Sequence, residues 1–360
     1  MSLLRTIGRG LKADATRVVM TPVESLRNAR YTIEGVRSGK IPPSRPLKTL
    51  AITLGALVFV SLLLFPLYWV LLSALSPSGG SIYSTGGFSL LPDEVSFSAF
   101  LWVLGDLILP AYDITLGIPF TNLEIVSSTP GIELLDVSDY GVTNPSGFKG
   151  FFWNSLTVAI PTVLLSMSLI VPASYALSRR KFIFRRKILF GYVLLTQVGG
   201  GLGIALLIGL YTIYVQFGLN DSKLALSVYY AATAVPFNTW LLKTYMDGIP
   251  VSYEEAAVVD GAPPWRVVTE VILPLSKAGL ATVFIFTFLT GWTEFVVAQT
   301  LLGTDNYTLP VGLFSLVSEY SVPWAKFSAF ALTFASPIVV VYLFAQRYIE
   351  GGLSFSGMEG

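Results

Sequence analysis

Six stretches of mostly apolar residues dominate the chain, at about 51–75, 152–177, 188–217, 224–246, 279–301 and 326–347. Each has about the 20 residues that a helix needs to cross a bilayer. Pro161, Pro172, Pro236 and Pro337 fall inside them, which membrane bundles tolerate when neighbours satisfy the freed carbonyls. A seventh apolar run, Ala99–Tyr112, is shorter, holds Asp106 and meets Pro110; it is expected to form an interfacial or packed surface helix. The pattern predicts an all-α polytopic membrane protein with six transmembrane helices. Its divisions are a basic segment 1–49, a first span 50–75, a loop region 76–150, a five-span core 151–350 and a tail 351–360. The loop region is rich in Gly, Ser, Pro and Thr, with aliphatics at 132–137, and suits a small lid or a strand-containing cap.

Composition agrees with this. Apolar residues make up 53% of the chain and charged ones 12%, with a mean hydropathy of +0.68; a soluble domain carries about twice that charge. There is no cysteine and no histidine, so disulfides, zinc sites and Cys or His nucleophiles are excluded. The basic, interrupted first 48 residues do not read as a cleavable signal peptide. Lysine and arginine set the orientation. They cluster before the first span, from Arg5 to Lys48, and between spans two and three, at Arg179, Arg180, Lys181, Arg185, Arg186 and Lys187. Segment 76–150 has Lys149 as its one basic residue against eight acids. Both basic clusters are therefore expected in the cytoplasm, as are both termini, with 76–150 outside. The basic N-terminal tail fits a surface of anionic lipid rather than nucleic acid.

The loop between spans four and five (248–275) is then cytoplasmic, and it contains the most informative run in the chain. Ser252-Tyr-Glu-Glu-Ala-Ala-Val-Val-Asp-Gly261 is too short to span a membrane. Ser252 and Glu255 have capping-box spacing, and Glu254 and Glu255 sit at the positive end of the helix dipole. Ala256 and Ala257 leave room for another surface, and Gly261 supplies a left-handed stop. A second short helix is expected over Pro263–Leu273, apolar at Trp265, Val268, Val271 and Ile272 and ended by Pro274. The plainer reading of the loop is an amphipathic connector lying on the bilayer.

Little else carries chemistry. Gly35-Val-Arg-Ser-Gly39-Lys40-Ile41 has the wrong spacing for a phosphate loop and isoleucine where Mg²⁺ needs a hydroxyl. The glycines at 199–201 and 203 lie within a span, where helix packing or a helix break explains them. Glu294 is the acid in the middle of a predicted span, a costly place unless paired or wet. With Trp292, Gln299 and Asn238 it is a candidate for lining a substrate path; the alternative for Glu294 is a bond between helices. Trp240, Tyr229 and Tyr230 are further aromatic candidates, although aromatics at helical spacing are more often core or lipid-interface residues.

Glu255-Ala256-Ala257, Gly261 and Val271-Ile272-Leu273-Pro274 together resemble the EAA loop of ABC importer permeases, with Val271 where the family has isoleucine. Leu91-Pro92-Asp93, Trp153-Asn154-Ser155, Tyr175-Ala-Leu-Ser-Arg179, Thr293-Glu294, Tyr307-Thr-Leu309, Ala345-Gln-Arg347 and Gly351-Gly-Leu353 extend the likeness, from about residue 50 onward, to the carbohydrate branch of that family. The basic extension and the glycine run depart from it. The resemblance implies a type I permease bundle that forms half of a sugar pathway (maltose, trehalose or oligosaccharide) in the cell membrane. It implies a second permease subunit, paired as a heterodimer, two cytosolic ATPase subunits and an extracellular or periplasmic sugar-binding protein. ATP and Mg²⁺ would sit on the ATPase subunits, with no cofactor on this chain. It further implies that Glu254, Glu255, Ala256, Ala257, Asp260, Gly261, Leu273 and Pro274 meet an ATPase subunit, Glu255 facing a basic residue there. The competing class is an ion-gradient-driven secondary transporter, which usually shows internal repeats and several intramembrane charges.

Overall fold

The computed structural model describes residues 38, 42, 44–76, 94–105, 107–109, 112–117, 124–129, 132–135, 146–201, 203–318 and 322–356. Most of the basic N-terminal segment, the rejected phosphate-loop candidate apart from Ser38, Leu91-Pro92-Asp93 and the last four residues lie outside these. The chain divides into two units, Met1–Trp69 and Val70–Gly360. The described part of the first is essentially one helix, α1 (Ser44–Leu75), which runs on past the boundary. Along it Leu47, Val58, Leu62 and Leu67 are all exposed, as expected of a helix whose surroundings are apolar.

In the second unit α2 (Ser98–Leu104) precedes four strands, β1 (Leu107–Leu109), β2 (Tyr112–Gly117), β3 (Glu124–Thr129) and β4 (Ile132–Leu135). β2 and β3 form an antiparallel hairpin that is inserted between β1 and β4, themselves antiparallel. The apolar run at 99–112 is therefore helical only in its first half. Gly105 leaves the helix with extended backbone, and the chain enters β1. The helical half packs as expected, burying Ala99 and Val103.

The rest of the unit is helical, with α3 (Phe148–Arg179), α4 (Arg185–Gly201), α5 (Gly203–Gln216), α6 (Lys223–Asp247), α7 (Ser252–Val259), α8 (Pro264–Leu275), α9 (Lys277–Thr293), α10 (Val296–Leu301), α11 (Leu309–Phe314) and α12 (Trp324–Ser356) as its main elements. α3 is central and packs along both α6 and α9. Small and hydroxylated residues let the backbones approach: Ser227 Oγ donates to Val158 O at 3.0 Å and Ser174 Oγ to Thr239 O at 3.0 Å. Such residues are the usual glue between helices in lipid, where no hydrophobic force drives association. A Cβ on Gly291 would come within 2.9 Å of Ala159 Cα, so the α3–α9 crossing requires glycine there.

The span pattern differs from the expected six. Three described helices are long and apolar enough to cross a membrane, Leu47–Leu75, Phe148–Arg179 and Trp324–Tyr348. A fourth arises if α8 and α9, which meet at 81°, count together. α6 is a single 25-residue helix in the expected place, but Ser227, Thr233, Asn238, Thr239, Lys243 and Thr244 make it less apolar. The expected third span is two helices, α4 and α5, on either side of residue 202, and Gly203 has φ +40°. The fifth stops at Thr293 and resumes at Val296. Helix α12 continues to Ser356, into what the sequence divided off as a tail.

Candidate functional site

The polar run at 252–261 does form its own helix, α7, and the way it begins corrects the sequence reading. Val251 already has helical backbone, and Glu254 N and Glu255 N donate to Val251 O at 2.9 and 3.1 Å. Tyr253 N donates to Pro250 O at 3.3 Å. The amide that a Ser252 cap would serve, Glu255 N, is thus taken by the preceding turn. The end of the helix is as expected. Gly261 has φ +82°; its N–H donates to Val258 O at 3.0 Å, and Ala262 N to Ala257 O at 2.9 Å. This pair of bonds is a Schellman stop, which favours glycine because a Cβ is strained at that φ.

α7 buries none of its residues fully. Glu255, Ala256 and Asp260 are exposed and Ala257 is half-buried. Tyr253, Val258 and Val259 add exposed apolar surface, Val259 at 86%. α8 continues helically through Pro274 to Leu275, with a wide π turn over Val267–Ile272. Its buried side chains are Val267 and Ile272, whereas Trp265 is 64% exposed. Leu273 is half-buried and Pro274 exposed.

Glu254 is the exception among the expected docking residues. It turns back onto the bundle, where Arg179 at the end of α3 forms an ion pair with it and Tyr175 Oη donates to its carboxylate at 3.3 Å. Arg179 Nη2 also donates to Ile249 O at 2.7 Å. Nearby, Ser178 Oγ donates to Asp247 Oδ1 at 2.6 Å, and Lys243 pairs with the same carboxylate. Arg185 donates to Leu177 O and Ser178 O at 2.7 and 3.1 Å, satisfying carbonyls that the end of α3 would leave open. The sequence marked these arginines as orientation signals, with Arg179 also in a string of the family resemblance, and assigned neither of them a structural contact. Nothing in the sequence pattern pointed Arg179 at Glu254, which lies 75 positions further on.

The substrate-path candidates do not come together. Trp292 is fully buried, stacked with Phe288 and Phe334 at 5.4 and 6.2 Å, edge-on to Phe152, and its Nε1 donates to Phe334 O at 3.2 Å. It is a core residue rather than a sugar platform. Asn238 is also buried, its amide donating back to Ala234 O at 2.8 Å. Gln299 is exposed. Glu294 sits at the break between α9 and α10 rather than in mid-helix. Its carboxylate accepts from Val297 N at 3.0 Å and Ala298 N at 3.2 Å, and from the Tyr230 hydroxyl of α6. The acid thus caps a short helix and bonds between helices, the alternative that the sequence left open. Among the described residues no group of acids is placed to hold a metal.

The described residues form an apolar helical bundle that carries an exposed polar helix on a loop. The comparisons with known proteins define the class. The chain belongs to the family described as "binding-protein-dependent transport system inner membrane component", which residues 150–354 match. It is 31% identical over 324 residues to the maltose/maltodextrin transport system permease protein MalG of Yersinia pestis, covering 89% of this chain and 96% of that protein. MalG of Salmonella typhimurium is 32% identical over 326 residues, with 89% and 98% covered. The inner membrane ABC transporter permease protein YcjP of Escherichia coli is 32% identical over 214 residues, 59% of this chain and 75% of that protein. The fold resembles that of a chain from a bacterial ABC transporter that imports the acidic polysaccharide alginate, with a TM-score of 0.63, 20% identity, and coverage of 86% and 98%. The chain is a membrane permease subunit of an ABC importer.

Proposed function

We propose that this chain forms half of the path by which a sugar of the maltose, trehalose or oligosaccharide class enters the cell. The other half comes from a second, homologous permease subunit, and an external binding protein delivers the sugar. Two cytosolic ATPase subunits burn the ATP, and this chain takes their motion through α7. Both termini and the 248–275 loop face the cytoplasm, and the strand-bearing 76–150 region faces outward.

The observation that carries this reading is α7 itself: a capped, exposed helix of eight residues with no fully buried side chain of its own. A helix that short is marginal in isolation, and its outward surface, Tyr253, Glu255, Ala256, Val258 and Val259, fits a cleft on a partner. The names of the MalG relatives support the sugar class. Nothing observed favours the ion-gradient alternative.

Gly261→Asp tests it. A side chain at φ +82° costs roughly 1–2 kcal/mol locally, enough to displace the end of α7 without unfolding the bundle. The variant is expected to insert in the membrane yet fail to retain ATPase subunits on purification, and to import no maltose or trehalose into proteoliposomes. Full uptake by this variant, or uptake by the unmodified protein without nucleotide, would overturn the proposal.

A further inference from the structure

The contact that ties α7 to the bundle is separate from the surface that α7 offers outward. Glu254 is on α7 but meets α3. One guanidinium, that of Arg179, holds both the Glu254 carboxylate and the Ile249 carbonyl, and so grips the loop at two points. The two charged side chains are only 10% and 13% exposed. A buried ion pair is poor value as a stabiliser, since desolvation offsets most of its attraction, whereas removing one partner leaves a stranded charge. What such a pair does supply is a fixed geometry between the elements that it joins. Here those elements are a helix with almost no hold on the core and the central helix of the bundle. α7 also packs on α8, which meets α9 at an 81° bend and so offers a less direct line to the spans.

We infer that Arg179, Tyr175 and Glu254 are a joint through which displacement of α7 is delivered to α3, and that Glu254 is a positioning residue of this joint rather than a contact to the ATPase. This rests on the function proposed above. Pulling or pushing α7 moves the end of α3 only while the joint holds. Without it the loop from Gly248 to Pro263 absorbs the movement, and the ATPase turns over without moving the spans.

The chain has no cysteine, which permits a direct test in the complete complex with partner permease, ATPase subunits and binding protein, reconstituted in proteoliposomes. The variants are Glu254→Gln, Arg179→Met, the exchanged pair Arg179→Glu with Glu254→Arg, and Arg179→Cys with Glu254→Cys joined by a bis-maleimide linker. Two quantities are read: ATPase subunits co-purified per permease, and maltose or trehalose imported per ATP hydrolysed. The neutralised variants are expected to keep their ATPase subunits and to import at least tenfold less sugar per ATP. The exchanged pair and the short-linked cysteine pair are expected to recover at least half of the loss, and the recovery should fade as the linker lengthens. Neutralised variants with unaltered sugar per ATP would overturn the joint. So would loss of ATPase subunits that neither exchange nor linking restores, which would make Glu254 a partner contact. If Arg179→Met fails to accumulate, the linker series decides alone, and a yield indifferent to linker length overturns the inference. An unmodified complex that binds no ATPase would instead sink the proposed function.

Discussion

Two glutamates stand at the start of short helices in this protein, and their surroundings differ in kind. Glu294 is held by neutral donors: two backbone amides of its own following helix and the hydroxyl of Tyr230. Glu254 is held by a cation from a helix 75 residues earlier in the chain, with a tyrosine beside it. The first arrangement is mostly local and sits next to the aromatic stack around Trp292, so its geometry is set by packing. The second joins two elements that little else holds together, so its geometry depends on the pair itself. One acid fixes a break inside the packed core, and the other, on the inference above, connects a part that the ATPase displaces. Carboxylates of one type, in neighbouring kinds of helix start, thus have opposite mechanical meanings.

The most damaging change is expected on the rigid side. Trp292 fills the core between Phe152, Phe288 and Phe334, and Trp292→Ala should cost about 3–5 kcal/mol through lost burial and a residual cavity. Thermal unfolding in detergent should show a large drop in Tm. Glu294→Ala comes next. It strands the buried hydroxyl of Tyr230 and two amides, which costs roughly 2–3 kcal/mol, while Glu294→Gln keeps an acceptor and should cost about half of that. If Glu294→Ala leaves Tm unmoved but alters which sugar is carried, Glu294 belongs to the substrate path after all and the contrast with Glu254 fails.

These two regions were not equally legible in the sequence. The stop at Gly261 was, because a glycine after a short helical run has one main backbone use, and the observed φ of +82° agrees. The break near Gly203 was also legible as one of two readings of the glycine run. The start of α7 was not. Ser252 and Glu255 have the right spacing for a capping box, but the turn at Pro250–Val251 reaches the Glu255 amide first. The destinations of Trp292 and Glu254 were hidden for a further reason. Whether a tryptophan stacks on substrate or on Phe288 depends on which helices become neighbours, and local pattern holds no information about pairing between residues 179 and 254. The break at Glu294 was not legible, because hydropathy averages over a break that one or two residues create.

A double-mutant cycle puts the connecting pair on a scale with the rigid core. Arg179→Met alone leaves Glu254 buried and unpaired and should destabilise the protein by about 3 kcal/mol. Arg179→Met with Glu254→Leu replaces the pair by apolar groups and should regain most of that, giving a coupling energy of roughly 1–3 kcal/mol. Stability regained without sugar transport regained would separate the mechanical role of the pair from its contribution to folding. Additive losses would mean that the two charges do not meet.

The smallest effect is expected at a pair that looks similar on paper. Lys243 and Asp247 lie one turn apart on α6, and the aspartate side chain is 40% exposed. Water screens that attraction, and a pair at this spacing contributes only about 0.3–0.5 kcal/mol. Asp247 also keeps its bond from Ser178 Oγ at 2.6 Å when the lysine is gone. Lys243→Ala should therefore shift Tm by no more than a degree or two, with sugar imported per ATP as in the unmodified complex. The two pairs stand within a few residues of one another on the loop side of the bundle, and they differ in the exposure of the acid, 13% for Glu254 against 40% for Asp247, and in whether they link separate elements. If Lys243→Ala uncouples transport as strongly as Arg179→Met, then any loss of charge at this surface is sufficient, and the assignment of the joint to Arg179 and Glu254 loses its ground.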